Sequence, residues 1–455
     1  MTAARYLCLG LPLLAVLAAA RWDRERNARA AALLAFVAAF VGVAALHELA
    51  RKTGWYAFAP VDGAYRGLPV DLWIGWAALW GPLPVLLRRV LPLPVALGLL
   101  GWLDVVTMPA LEPLLHLGSH WLAGEAVGLL GVALPAQLLG RWSADRRHLS
   151  ARVLLQLGLF GVLLLWLLPT LAFTLGGGSW ARLAGLPTSL LLLAAQVALL
   201  VATPALAAVR EFAARGGGTP YPWDPPGRFV TTGPYAYLAN PMQLGAVCLM
   251  VLTALVAGSA PLAVGAALAV AFSVAVAGPH EDHDLDGRYG QRWRDHRRRV
   301  RPWWPRWRPY LPGEPAVLWL DDDCGPCAAV RRFLDRRRPV NLTIMPAARH
   351  PAGVLWRAGY TGGDGHRERG VAAVARALEH VHLGWAWVGW VLRLPGITWL
   401  AQLVTDAMIA PPHPSQPQGE RCPTPNAASS TGRWRPSAST ASPGSPHAPS
   451  PPPPG

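Results

Sequence analysis

The chain has 455 residues, of which 53% are hydrophobic and only 15% are charged. Soluble domains carry about 25% charged residues, so this composition excludes an ordinary soluble globular protein and is typical of a membrane protein. The formal net charge is +15, but Arg residues lie in short clusters between apolar runs. That distribution fixes membrane orientation, and we expect no nucleic-acid partner. Five Cys cannot form a disulfide framework in a chain of this length.

Nine apolar runs predict about nine transmembrane helices, because a spanning helix needs roughly 20 apolar residues. The runs are 4–20, 30–47, 68–87, 90–108, 121–139, 153–175, 184–208, 242–257 and 261–278. Arg clusters occupy the first, third, fifth and seventh loops and the segment after the ninth run. The positive-inside rule then predicts an N-terminus outside and a C-terminus in the cytoplasm. We expect a multi-pass integral membrane protein, in the plasma membrane if the chain is bacterial.

The first run, which ends at Ala18-Ala19-Ala20, has two interpretations. It could be a cleaved signal peptide. That interpretation would place the following Arg cluster outside, so a retained helix is favoured.

The N-terminal transmembrane region, residues 1–140, has no assigned role, although it could shape an acceptor pocket. Asp71, Asp104 and Glu125 interrupt its apolar runs. A carboxylate within the bilayer is a functional hypothesis by default, since it costs about 2.5–3.5 kcal/mol even on lenient insertion scales. The alternative is that the runs are mis-bounded and these acids lie at interfaces; the sequence leaves both open.

Residues 141–310 carry the most informative motifs. Gly233-Pro234-Tyr235-Ala236-Tyr237 is followed by Asn240-Pro241-Met242, a hairpin of two apolar runs turning at 258–261, and then Glu281-Asp282, Tyr289, Trp293 and His296. Carboxylates and aromatic faces are what would hold a cationic group. The alternative is one interfacial helix, with its aromatic face among lipid headgroups and its Arg residues toward anionic lipid.

This succession resembles the isoprenylcysteine carboxyl methyltransferase and phospholipid methyltransferase superfamily. The resemblance implies S-adenosylmethionine as cofactor and a lipophilic small-molecule or lipid acceptor that enters from the bilayer. The implied cofactor-binding residues are Gly233, Tyr235, Tyr237, Asn240, Pro241, Glu281, Asp282 and Tyr289. Glu281 and then His296 are candidate catalytic bases for an acceptor that must lose a proton. Asn240 departs from the family pattern, which has His there.

A Cys-x-x-Cys motif, Cys324-Gly325-Pro326-Cys327, follows an apolar strand and opens a predicted helix to about Arg338. This is the layout of thioredoxin-like folds. The helix N-terminus favours the thiolate of Cys324 as nucleophile, Cys327 is placed to resolve a mixed disulfide, and neighbouring Asp residues oppose thiolate formation. An inert pair is one alternative. A zinc site is the other, with Cys422, His350 and His366 as the available further ligands; we predict no metal.

Residues 316–410 resemble the thiol-disulfide oxidoreductase family named for its Asp-Cys-Cys residues, which implies a thioredoxin-like domain and a thiol partner protein. The Pro- and Ser-rich residues 411–455 are predicted to be disordered. The predicted fold class is an all-α polytopic membrane domain followed by a small α/β thioredoxin-like domain and a disordered tail. The predicted function is a membrane S-adenosylmethionine-dependent methyltransferase with a fused cytoplasmic redox domain. The alternatives are a membrane-tethered thiol-disulfide oxidoreductase without methyltransferase activity and a membrane reductase of the steroid-reductase type.

Overall fold

Long apolar helices make up most of the chain. The structure is a computed structural model that describes residues 2–224, 226–321, 324–353, 355 and 357–408. The helices are α1 Thr2–Trp22, α2 Arg26–Thr53, α3 Val70–Trp80, α4 Pro82–Leu86, α5 Leu93–Ala110, α6 Trp121–Gly128, α7 Leu134–Ala144, α8 Leu149–Val162, α9 Leu168–Thr174, α10 Trp180–Ala184, α11 Thr188–Glu211, α12 Pro241–Ala257, α13 Ala260–Phe272, α14 Gly278–Tyr289, α15 Gln291–Arg299, α16 Gly325–Arg337, α17 Val371–Leu378, α18 Leu383–Leu392 and α19 Pro395–Met408. The strands are β1 Tyr56–Phe58, β2 Ala64–Tyr65, β3 Leu68–Pro69, β4 Leu115–Leu117, β5 Ala316–Leu320, β6 Leu342–Pro346, β7 Gly359–Thr361 and β8 Arg367–Arg369. The predicted tail and Cys422 lie outside the described residues.

Seven helical segments of the described chain are long and apolar enough to cross a membrane. They are Thr2–Trp22, Arg26–Thr53, Leu93–Ala110, Trp121–Ala144, Leu149–Thr174, Thr188–Gly216 and Ala260–Tyr289. They coincide with seven of the nine predicted runs. The other two runs coincide with the shorter apolar helices Val70–Leu86 and Pro241–Ala257. The helices indicate a multi-pass integral membrane protein, while the count of nine spans and the orientation stay predictions.

Helix α1 is packed closely on α3. Arg5 Nε donates a 2.6 Å hydrogen bond to Asp71 Oδ2, and a side chain at Gly75 would collide with the backbone oxygen of Cys8. This contact favours a retained first helix over a signal peptide. Asp71 lies in the first turn of α3, so for this acid the structure supports the interpretation of a residue near a helix end.

The other two acids of the N-terminal region are inside the helix bundle. Asp104 on α5 is 1% exposed and Glu125 on α6 is 7% exposed. The Trp80 indole donates a 3.0 Å hydrogen bond to Asp104 Oδ2, and the Trp76 indole donates to Asp104 Oδ1 at 3.4 Å. Both acids are therefore buried within the protein rather than exposed at a helix end.

Helices α12 and α13 form the predicted hairpin. Gly258 ends α12 with φ +68°, a left-handed conformation that glycine adopts without a steric penalty. Ser259 then caps α13 by accepting a hydrogen bond from the Leu262 N–H at 3.4 Å. Farther along, Ser273 Oγ donates to Gln243 Oε1 at 2.6 Å, so a polar contact between apolar helices fixes the pairing.

The region after residue 315 is a small α/β domain. Its sheet has the order β6-β5-β7-β8. Strands β5 and β6 are parallel and joined by α16, whereas β7 pairs antiparallel with β5 and β8 antiparallel with β7. The alternate residues Ala316, Leu318 and Leu320 are buried, as expected for a strand with one face on a core. The apolar strand predicted before the Cys pair is β5, and the helix predicted from Ala328 to about Arg338 is α16, which runs from Gly325 to Arg337.

Candidate functional site

The predicted cofactor approach, Gly233–Ala236, is a single 3-10 turn fixed to the end of α11. Gly233 has φ +62°, and a Cβ there would come within 2.5 Å of Glu211 Cγ. Only glycine tolerates both the left-handed backbone and this approach. The preceding Thr232 hydroxyl donates to Glu211 Oε2 at 2.8 Å. One buried carboxylate therefore positions the whole turn.

Tyr235 and His296 meet behind this turn. His296 Nε2 donates to the Tyr235 carbonyl oxygen at 3.0 Å, so Nδ1 is the acceptor nitrogen of a neutral ring. Burial lowers the pKa of His296. Its Nδ1 and the Tyr235 hydroxyl are both buried and lack a hydrogen-bond partner within the described part of the chain. Such atoms in a native interior call for a water or a ligand group.

The predicted continuous aromatic helix face is wrong. Gly290, with φ +54°, separates α14 from α15, so no single helix carries these rings. They converge instead on Phe229, whose ring centroid lies 5.1 Å from that of Tyr289, 5.7 Å from Trp293 and 5.3 Å from His296. Trp293 and His296 are buried in protein rather than placed among headgroups, so the interfacial-helix interpretation is corrected for them.

The two predicted carboxylates differ in environment. Asp282 pairs with Arg297 through two hydrogen bonds of 3.2 and 3.4 Å. Glu281 is exposed. Burial, and then the charges of Glu281 and Glu211, raise the pKa of the Tyr235 hydroxyl, which therefore stays protonated between two carboxylates.

An open groove of about 410 Å³ lies beside these residues. Its lining is Asp282, His283, Asp286, Trp293, Arg294, Arg297 and Arg298. S-adenosylmethionine carries a sulfonium, an ammonium, a carboxylate and an aromatic base. Carboxylates, guanidinium groups and an indole are complementary to these groups, so the residues present fit this cofactor.

Of the eight predicted cofactor-binding residues, Asp282 lines the groove and the other seven are not among its lining residues. Asn240 stands at the N-cap of α12 without capping it, and no hydrogen bond of its side chain is found in the described ranges; Pro241 is the first residue of the helix. The Tyr237 hydroxyl donates to the Glu379 carbonyl oxygen at 2.8 Å, and its ring meets Trp390 edge to face at 5.7 Å. Tyr237 thus contacts the α/β domain.

Sequence reasoning missed a buried ion cluster that joins this site to the α/β domain. Arg376 Nη2 donates to both oxygens of Glu211, at 2.6 and 2.8 Å. Arg393 donates to Glu211 at 3.0 Å and to Glu379 at 2.8 Å. All four side chains are less than 5% exposed. The available sequence signal was Arg376, the one charged residue of the Ala-rich helix α17, which indicates that a partner for it is buried nearby.

The Cys-x-x-Cys pair lies where it was predicted. Cys324 is the N-cap of α16, both thiols are free, and Asp322 and Asp323 lie outside the described residues. Burial, and then a hydrogen bond to Cys324, raise the pKa of Cys327 to about 12. Of the zinc-ligand candidates, His350 packs against Trp319.

Comparison with known proteins identifies one family in this region. Residues 189–292 match the family model described as phospholipid methyltransferase. No curated protein and no solved structure matches the chain. The match runs from α11 through the hairpin and α14 into α15, and favours a methyltransferase over the reductase alternative. This part of the chain is therefore similar to membrane methyltransferases, whereas the redox-family resemblance of residues 316–410 stays a prediction.

Proposed function

We propose that residues 141–310 form an S-adenosylmethionine-dependent methyltransferase for a lipophilic acceptor. One observation carries the proposal: the family match at 189–292 covers the turn at Gly233–Ala236, the α12–α13 hairpin and the acidic helix α14. Lipid-facing Leu255, Val264 and Leu268 are exposed on the hairpin, and they leave the acceptor a lateral route from the bilayer.

The groove residues have separate roles in this proposal. Asp282 and Asp286 attract the cationic groups of the cofactor, the Trp293 indole packs on an aromatic or cationic part, and Arg297 holds a carboxylate. The bound cofactor supplies a methyl group that is already activated. The protein's part is then proximity, orientation and exclusion of water. Glu281 is the better placed of the two candidate bases, because it is exposed while His296 is buried.

Calorimetric titration of S-adenosylmethionine into the protein in lipid nanodiscs tests the site. Asp282→Asn should weaken binding roughly 10- to 100-fold, because a hydrogen bond to a charged group contributes about 1.5–3 kcal/mol. Asp284→Asn is the matched control: Asp284 lies on the same helix, in an exposed pair with Arg288, and its replacement should leave affinity unchanged. Absence of binding by folded wild-type protein overturns the proposal.

The Cys324–Cys327 pair supports a second function, thiol-disulfide exchange on a thiol partner protein. The strand order β6-β5-β7-β8, with the motif after β5, is that expected of a thioredoxin-like domain. Cys324 would attack a partner disulfide and release one partner thiolate. Cys327 would then attack the mixed disulfide, release the second thiolate and leave a Cys324–Cys327 disulfide for an external thiol to reduce.

Trapping distinguishes the two thiols. Incubated with glutathione disulfide, Cys327→Ser should accumulate a stable mixed disulfide at Cys324, detected by mass spectrometry. Cys324→Ser should accumulate none at Cys327, whose thiol is held protonated. Cys248→Ser, in the membrane hairpin, is the control and should behave as wild type. Equal labelling of both single variants contradicts this role.

A further inference from the structure

Helix α18 of the α/β domain lies beside the middle of α11. Trp387 Nε1 donates a 3.2 Å hydrogen bond to the carbonyl oxygen of Leu200. Leu200 precedes Arg210, the basic residue of the last turn of α11, by about 15 Å along the axis at 1.5 Å per residue. The hydrocarbon core of a bilayer is about 30 Å thick. A contact at this depth places α18 within the cytoplasmic half of the core, given the predicted orientation.

The carbonyl that Trp387 contacts has no normal donor within its own helix. In a regular α-helix the Leu200 carbonyl accepts from the N–H four residues later. That residue is Pro204, which has no N–H. In lipid an unpaired backbone carbonyl costs several kcal/mol, so a proline in a spanning helix needs a substitute donor. The indole of Trp387 is that donor.

Helix α19 exposes its apolar face and turns polar groups toward the domain, the reverse of a surface helix in a soluble protein. Its polar side chain Gln402 faces the domain, where Oε1 accepts from the Val371 N–H at 2.9 Å, and Asp406, in the last turn, forms a partly exposed ion pair with Arg357. Its apolar side chains face outward: Trp399, Leu400, Leu403 and Val404 are 68%, 55%, 53% and 48% exposed. Surface helices of soluble proteins bury the apolar stripe instead.

The charged side chains near α18 are paired with each other inside the protein, as is expected of charges close to lipid. Glu211, Arg376 and Arg393 are each at most 4% exposed, and both Arg side chains bind Glu211. Charges near lipid are tolerated when they pair with each other inside the protein. Helix α11 also exposes the apolar side chains Leu199 and Leu206.

From these contacts we infer that the α18–α19 hairpin, Leu383–Met408, is inserted in one leaflet of the bilayer beside α11. The acyl chains of that leaflet cover the outward face of α19. The α/β domain is therefore anchored in the membrane through this hairpin, while its sheet and α16 lie outside the hydrocarbon core. This inference is independent of the proposed methyltransferase activity.

Spin labels at single cysteines test it in the full chain, with the five native Cys replaced by Ser. The variants are Leu400→Cys and Leu403→Cys, with Arg336→Cys on the exposed face of α16 as the control. The protein is reconstituted into phosphatidylcholine–phosphatidylglycerol vesicles. Labels at 400 and 403 should collide more with oxygen than with a water-soluble nickel complex, and the order should reverse at 336.

Two outcomes of the spin-label experiment overturn the inference. Greater access of nickel at 400 and 403 means that the face is in water, and access of neither reagent means that another protein surface covers it. Carbene labelling by lipids with a photoactivatable acyl-chain tip tests the same contact in the unsubstituted chain, so its result does not depend on the folding of any variant. Labelled peptides should include 395–408, and labelling confined to the predicted spans overturns the inference.

Discussion

Replacing Arg376 with Gln removes the guanidinium that holds Glu211 through hydrogen bonds of 2.6 and 2.8 Å. Removing one partner of a buried ion pair costs about 3–5 kcal/mol, because the remaining charge is left uncompensated. Arg393 still donates to Glu211 at 3.0 Å. We therefore expect the lower end, a loss of about 3 kcal/mol in the free energy that holds the α/β domain in place.

Hydrogen exchange of the α17 amides, measured by mass spectrometry on protein in nanodiscs, reports this free energy. A loss of about 3 kcal/mol lowers the protection factor roughly 10²-fold. Adding Glu211→Gln to the Arg376→Gln variant should restore at least about 1 kcal/mol, because no unpaired carboxylate then remains buried.

The matched control is Arg357→Gln in the same domain. Arg357 pairs with Asp406, and the two side chains are 50% and 39% exposed. Exposed pairs contribute about 0–1 kcal/mol, so protection of α17 should change less than tenfold. Equal effects of Arg376→Gln and Arg357→Gln, or strict additivity of the double variant, refute the assignment of the ion cluster as the contact that holds the domain.

Three further outcomes are expected. His380 donates from Nδ1 to the Val340 carbonyl at 2.7 Å, and burial lowers its pKa from 6.5 to about 4. The contribution of the neutral ring to the free energy of unfolding, measured in urea titrations, should be fully present above pH 6.5 and fall by about 3 kcal/mol as the pH drops toward 4. His380→Gln should remove this pH dependence. Gly233→Ala should lower the melting temperature and abolish cofactor binding, because its Cβ meets Glu211 at 2.5 Å, whereas Gly227→Ala, whose Cβ meets only a backbone oxygen at 3.8 Å, should do neither. Tyr237→Phe should cost about 1 kcal/mol of α17 protection and leave calorimetric cofactor affinity unchanged; a tenfold loss of affinity would instead show that Tyr237 binds the cofactor.

Local sequence signals predicted the elements well. Length and hydropathy gave the positions of the long helices, and turn residues such as Gly258 and Ser259 gave the hairpin. The strand before Cys324 follows from the apolar run Val317–Leu320, and the helix after it from the Cys-x-x-Cys layout. Each of these features depends on residues within one helix or strand and its ends.

Features that depend on distant partners could not be predicted in this way. The spacing of Tyr289, Trp293 and His296 predicted one helix face, but a single glycine with positive φ divides the helix, and Phe229 from another segment collects the rings. Tyr237 lies in a cofactor-type motif, yet a carbonyl 142 residues away accepts its hydroxyl. No local pattern carries such information.

The ion cluster also sets an order for synthesis. Glu211 finds its guanidinium partners 165 and 182 residues later in the chain. At about 5–20 residues per second, this carboxylate waits roughly ten to thirty seconds after it is made. During that interval Arg215, four residues along the chain, is the partner within reach, and its Nε lies 3.6 Å from Glu211 Oε2 in the folded protein. The shorter bonds from Arg376 and Arg393 form only after the α/β domain has been made, so the turn that Glu211 positions is completed late in synthesis.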